Sequence, residues 1–317
     1  ASPVATDDPI VREIVEKTDG NPLFIEEFTD AVFQAPDANA TQTPAPRAGR
    51  RLAAKVPATL SDSLMARLDH IPDGKRIAQV AACIGRDFRG DLLAKVLSLD
   101  AAALEATIKP LLASGIVMRR GKSSADRYRF KHALVRDAAY ESLLRNSRQA
   151  THLCIANALA DDETQDPDLS AEIAAHHYTE ADAFDVAIPL WLRAGNNAAR
   201  RSADHEAVAH LGKALALLER SENIDDRDEL ELTIRVALGP CLMNTAGSAS
   251  QEVSDNYLRA RSLCRDGARP NDEFAVLWGL WLHNFVRGDY EASTTLADEA
   301  VAFAEDTRND DFLLQAH

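Results

Sequence analysis

Asp126-Arg127-Tyr128-Arg129-Phe130-Lys131-His132-Ala133-Leu134-Val135-Arg136-Asp137-Ala138-Ala139-Tyr140 changes hydrophobic period in its middle. Tyr128, Phe130 and His132 alternate with Arg127, Arg129 and Lys131, the period of two that marks a half-buried strand. That alternation aims His132 inward with the aromatics. Beyond it Leu134, Val135, Ala138, Ala139 and Leu143 fall on one helical stripe, with Arg136, Asp137, Glu141 and Arg145 opposite. A strand therefore runs into a helix at His132, and that histidine is either a packed corner or a sensor.

Upstream, Leu60, Leu64 and Leu68 space a helix over 59–69, and Ile77, Val80, Ala81 and Ile84 space another over 74–84. A short helix covers 91–97. A fourth runs from Asp100, a good N-cap, to Ser114, with Gly115 suited to the left-handed position that ends it. Ile116 to Arg120, a polar turn at 121–125 and the strand to His132 then read as a basic-tipped hairpin. Helices followed by a hairpin and a further helix predict a winged-helix domain over 57–150.

The flanks read differently. Residues 9–34 predict two helices joined at Thr18-Asp19-Gly20-Asn21, with Gly20 at a helix stop and Pro22 at the next helix start. Residues 35–56, rich in Ala, Pro, Thr and Arg, predict a linker. Residues 151–317 are helical in pattern. Phe184-Asp185-Val186-Ala187 with Ala194 repeats at Asp204-His205-Glu206-Ala207 with Ala214, twenty positions on. Gly288-Asp289-Tyr290 with Ser293, Ala297 and Ala300 resembles the second half of a tetratricopeptide repeat. The expected fold is mainly α: a helical subdomain over 1–34, a winged-helix domain with a small β-hairpin, then an α-solenoid of TPR-like helix pairs over 151–317.

Charge is segregated. The whole chain carries −15, but residues 47–150 hold 20 basic and 10 acidic side chains, whereas 151–317 hold 13 and 31. The basic middle suits phosphate, nucleic acid or the acidic flanks themselves. No apolar run nears the roughly 18 residues that cross a bilayer, so no membrane contact is expected. The four cysteines lack metal-like spacing and predict buried thiols in a cytoplasmic protein. Ala1 in place of methionine, and a helical pattern still running at 312–317, suggest a segment of a longer polypeptide.

No catalytic constellation is visible. Gly115 to Gly121-Lys122-Ser123 approaches a P-loop, but its spacer is one residue too long. It also lies between strands, where a P-loop must open a helix. His176 and His177 point about 100° apart on a helix, so one is expected to pack and the other to be solvated, with no metal site. The acidic run 225–231 is expected to be a solvated helix start.

Three features together resemble the signal-transduction ATPases with numerous domains (STAND). Gly20-Asn21-Pro22-Leu23-Phe24 is similar to the G-x-P motif whose proline packs on adenine. Phe130-Lys131-His132-Ala133-Leu134 is similar to the winged-helix motif whose histidine reaches the β-phosphate of ADP. A repeat array follows directly. With Val56-Pro57-Ala58-Thr59-Leu60 and His176 to Ala181, the chain most resembles bacterial proteins joining a class III cyclase to such an ATPase and a tetratricopeptide tail. The resemblance implies ATP or ADP as cofactor, contacted by Gly20, Pro22 and His132, an ATPase core and a cyclase domain in cis, and a protein partner on the solenoid. Lys131 and Ala133 depart from the motif's flanking Met and Asp. The implied role is regulatory, coupling nucleotide state to partner binding. A DNA-binding regulator and a pure protein scaffold remain as alternatives, although 101–114 offers only Lys109 and Glu105 as charged groups for reading bases.

Overall fold

The computed structural model describes residues 68–71, 73–120, 127–160, 167–221, 224–264 and 269–316. Gly20, Pro22, the expected helices of 9–34 and the turn at 121–125 lie outside the described residues. Contacts gather the chain into two units, one ending at Thr151 and the other starting at His152.

In the first unit α1 (Gly74–Ile84), β1 (Asp87–Arg89), α2 (Gly90–Leu97), α3 (Ala101–Ala113), β2 (Val117–Arg120), β3 (Arg127–Phe130) and α4 (Ala133–Glu141) follow one another along the chain. The sheet has three strands rather than the two of the expected hairpin. β1 pairs antiparallel with β3, and β3 with β2, giving the order β1-β3-β2. Three residues of β1 are too few for an alternation to stand out in sequence, and pairing rather than propensity fixes them.

The local signals explain the joins. The Asp100 carboxylate accepts the Ala103 N–H at 2.7 Å and starts α3. Gly115, at φ +70°, ends it: Gly115 N–H donates to Leu112 O and Ile116 N–H to Leu111 O, a pairing that satisfies the last carbonyls of the helix. The strand that follows enters the core at once. Tyr128 and Phe130 are fully buried and meet Phe88 of β1, each with ring centroids 5.7 Å apart. Ile77, Leu93, Ile108, Leu111, Val135 and Ala139 complete this core. Each large side chain so buried contributes about 1.5–3 kcal/mol before its entropy cost.

α5 (Arg145–Ala160) contains the division point, and the second unit continues with α6 (Pro167–Glu180), α7 (Phe184–Arg200), α8 (Asp204–Arg220), α9 (Arg227–Ala246), α10 (Gln251–Leu263), α11 (Pro270–Arg287), α12 (Tyr290–Thr307) and α13 (Asp310–Ala316). From α6 onward each helix packs on the next, and α7 also touches α9, and α9 touches α11. This is a layered array of antiparallel helices. The twenty-residue repeat is one helix plus a three-residue turn, so it relates neighbouring helices within the array. Asp182, Ser202 and Gly288 occupy equivalent left-handed turn positions at φ 57°, 58° and 80°. The small residues that follow, Ala187, Ala207 and Ser293, and Ala194, Ala214 and Ala300 seven positions later, are all buried. They let adjacent backbones approach.

Two polar features pin the later helices. Tyr257 of α10 lies against Gly239 of α9 and Gly279 of α11: a Cβ at Gly279 would fall 2.6 Å from its Cε2, and one at Gly239 2.9 Å from its Cε1. Burial pushes the Tyr257 phenol up to about 12. Glu231 corrects the expected solvated start of α9. Only Asp228 and Glu229 occupy the first turn there. Glu231 is buried and accepts from Arg259 Nε and Nη2 at 2.9 and 2.8 Å and from Arg235 Nε at 2.7 Å. The Arg259 hydrogen bonds, opposed by burial and reinforced by Arg235, hold its carboxyl down at about 2.

Candidate functional site: a strand-to-helix corner and a repeat surface

His132 sits at the junction the sequence singled out. It is the N-cap residue of α4, in extended conformation at φ −123° and ψ 138°. Backbone bonds fix the corner: Phe130 N–H donates to Arg86 O and Lys131 N–H to Ile116 O, each at 3.0 Å. Yet its side chain makes no capping bond, and its Nε2 is shielded from solvent without a hydrogen-bond partner. Histidine is a poor choice for a cap, where Ser, Thr, Asp or Asn would satisfy the free N–H groups. The first turn of α4 also lacks an acidic side chain. The corner thus combines an unsatisfied imidazole nitrogen with an uncapped, electropositive helix end, which suits an anion.

The stripe expected on α4 needs one correction. Val135, Ala138 and Ala139 are buried as expected, but Leu134 is 40% exposed. Arg136 reaches back from α4 to the Ala82 carbonyl at 3.4 Å and holds Asp137 at 2.8 Å. Gly115 to Arg120 forms the end of α3 and β2, and the chain then returns as β3.

The solvent face of the sheet carries an arginine row. Arg89, Arg127 and Arg120 lie directly across β1, β3 and β2 from one another, at strand spacings of about 4.8 Å. Arg89 is bonded to Asp91, and neighbouring Arg129 to Asp87. The Arg129 hydrogen bonds hold the Asp87 carboxyl below its usual range. Arg120 and Arg127 are exposed and have no ion pair among the described residues. Like charges directly opposite are destabilising, so this face favours an anionic partner. The exposed side of α3 offers Ala101, Ala102, Glu105, Ala106 and Lys109.

In the second unit His177 is buried and His176 exposed. His177 Nδ1 lies 2.8 Å from His152 Nδ1. Burial, then the charges of His152 and His176, lower His177 to about 3. An aromatic ladder runs along α11 onto α12: Trp278 to Trp281 at 4.8 Å, Trp281 to Phe285 at 5.5 Å, Phe285 to Tyr290 at 6.2 Å. Trp278, Phe285, Val286 and Tyr290 are 39%, 50%, 53% and 67% exposed. The spacing 278, 281, 285 is helical and could have revealed this stripe; the arginine row needed the register of β1. No disulfide joins the cysteines; Cys83 and Cys241 are buried, but Cys154 is exposed and Cys264 half-buried, against the expectation of four buried thiols.

No protein-family model matches the chain. An uncharacterised protein of Rhizobium meliloti (strain 1021) is 28% identical over 283 residues, which cover 86% of this chain and 26% of that protein. The chain spans about a quarter of the length of this curated relative. Among solved structures, the chain is similar to a Signal Transduction ATPase with Numerous Domains (STAND) protein with a tetratricopeptide repeat sensor from Pyrococcus horikoshii. The match has a TM-score of 0.37 and 11% identity, covering 96% of this chain and 52% of that one.

Proposed function

We propose that the chain is the regulatory portion of a nucleotide-dependent switch, in which the first unit holds a phosphate group of ADP or ATP and the helical array binds a protein partner. The observation that carries this reading is the buried, unpartnered Nε2 of His132 at the uncapped start of α4. A buried polar atom without a partner in a native fold calls for a ligand or a cost. A phosphate oxygen would satisfy the imidazole and face the helix dipole at once. Nucleotide release would free the corner and bias the arrangement of the chain toward an open state.

The array supplies the second half. Its aromatic ladder presents Trp278, Phe285 and Tyr290 to solvent, and such residues anchor protein interfaces. Regulation of a class III cyclase in cis is the finer form of this proposal. Its test joins the chain to an upstream nucleotide-binding core and follows release of ADP. His132→Ala is expected to speed release at least about tenfold, the loss of one charge-assisted hydrogen bond. Equal release rates from wild type and variant would remove the sensor role.

The arginine row favours a second reading, a polyanion such as nucleic acid on the solvent face of the sheet. Its contacts would be to phosphate, since the exposed side of α3 lacks Arg, Asn and Gln for base edges. Anisotropy titration of a DNA duplex across a salt series decides it. Under this reading Arg120→Ala with Arg127→Ala reduces the salt slope by about 2; an unchanged slope, or no binding by wild type, excludes it.

A further inference from the structure

We propose that Glu172, Glu206 and His210 form a binding site for a divalent first-row transition ion such as zinc. The site is independent of the nucleotide reading. Glu206 and His210 stand four positions apart on α8 and so share a face. Glu172 comes from α6. His210 is 4% exposed, and its Nε2 is turned toward both carboxylates, 3.5 Å from Glu206 Oε1 and 3.9 Å from Glu172 Oε2.

Those separations decide between two arrangements. A charged imidazole bonded to a carboxylate sits at about 2.7–2.9 Å. Two ligands of one tetrahedral ion, each about 2.0–2.2 Å from it, sit about 3.3–3.6 Å apart. The 3.5 Å separation from Glu206 matches co-ligands, the 3.9 Å separation from Glu172 is a few tenths of an ångström wider, and both exceed a charge-assisted hydrogen bond. All three donor atoms lie within 4.8 Å of one another, so side-chain movements of about 1 Å, open to two half-exposed glutamates, close the set. The imidazole is also held in place. Trp191 stacks on it with centroids 5.2 Å apart and planes at 27°, and Lys213 Nζ lies 4.2 Å from the Trp191 ring.

The donor set names the class of ion. One neutral nitrogen and two carboxylates offset a charge of +2, an ion displacing Arg201 from the Glu206 Oε1 it holds at 3.0 Å; the donors suit zinc, manganese, iron, cobalt or nickel, whereas soft copper(I) prefers sulfur, and calcium and magnesium prefer oxygen alone. The two glutamate side chains are 43% and 45% exposed, leaving a fourth position for water. His210 Nδ1 is buried without a partner. A bound imidazole normally donates from that nitrogen, and losing such support costs about 10- to 100-fold in affinity. The expected affinity is therefore micromolar. A bound ion would tie α6 to α8 across α7.

The test is calorimetric titration of the chelator-stripped full chain with zinc, alongside visible absorption with cobalt(II). Wild type is expected to bind one equivalent with micromolar Kd and to give four-coordinate cobalt bands. Because His210→Ala empties a packed position, Glu172→Gln on a half-exposed side chain carries the decision, with at least about a tenfold weaker Kd and loss of the bands. No zinc binding below millimolar concentration overturns the site. Equal binding by Glu172→Gln also overturns it, assigning the metal to other donors such as His152, His176 and His177.

Discussion

Acidification is expected to loosen the helical array through His177. This ring is buried against His152, with Nδ1 atoms 2.8 Å apart, and titrates at about 3 in the folded state against an ordinary value of 6.5. The folded state therefore resists a proton that the unfolded chain accepts. The stabilisation is complete above pH 6.5 and is lost as pH falls from 6.5 toward 3, at about 1.4 kcal/mol per unit. Between pH 7.5 and 5.0 the loss is about 2 kcal/mol. Urea unfolding followed by circular dichroism reads it as a lower midpoint at unchanged slope. Glu231 titrates below this window and does not contaminate it. His152 and the exposed His176 are the titratable rings facing His177, and both remain in the control variant His177→Gln. That variant should lose about 2 kcal/mol less than wild type across the same range. If wild type and His177→Gln lose equal stability, the buried pair does not set the pH response.

Other outcomes follow from packing and charge. Gly279→Ala should destabilise by about 1–3 kcal/mol although alanine is the better helix former, because its methyl would strike the Tyr257 ring. Gly212→Ala on α8, with nothing near a Cβ, should instead stabilise by about 0.5–1 kcal/mol; thermal melts that move both in one direction would contradict the steric account. Glu231→Gln leaves Arg235 and Arg259 without their carboxylate and should cost about 2–3 kcal/mol in chemical denaturation at pH 7, Arg259 being half exposed and partly screened. The Glu231 contribution is present above pH 4.5 and lost as pH falls toward 2, so wild type and variant should converge in stability there.

The sequence was most legible where one local rule dominates. The change of period at His132, the cap at Asp100, the left-handed end at Gly115 and the small positions at Ala187, Ala194, Ala207 and Ala214 each announce their element. Features made by tertiary pairing were hidden. β1 exists because β3 pairs with it, and Glu231 reads as one acid among several until α10 brings Arg259 to it. Glu206 and His210 carry the i, i+4 spacing of a helical metal face in plain view, but Glu172 lies 34 positions upstream, and only the packing of the array unites them. Leu134 shows the converse: a helical stripe on paper extends past the neighbour available to cover it.

Tyr257 gives the array a mechanical consequence. A flat ring seated against glycine on either side acts as a key between α9, α10 and α11. A one-residue slide of α9 or α11 past the ring would replace its glycine with a larger neighbour, for which the ring leaves no room. Movements of α9, α10 and α11 should therefore be coupled through this ring.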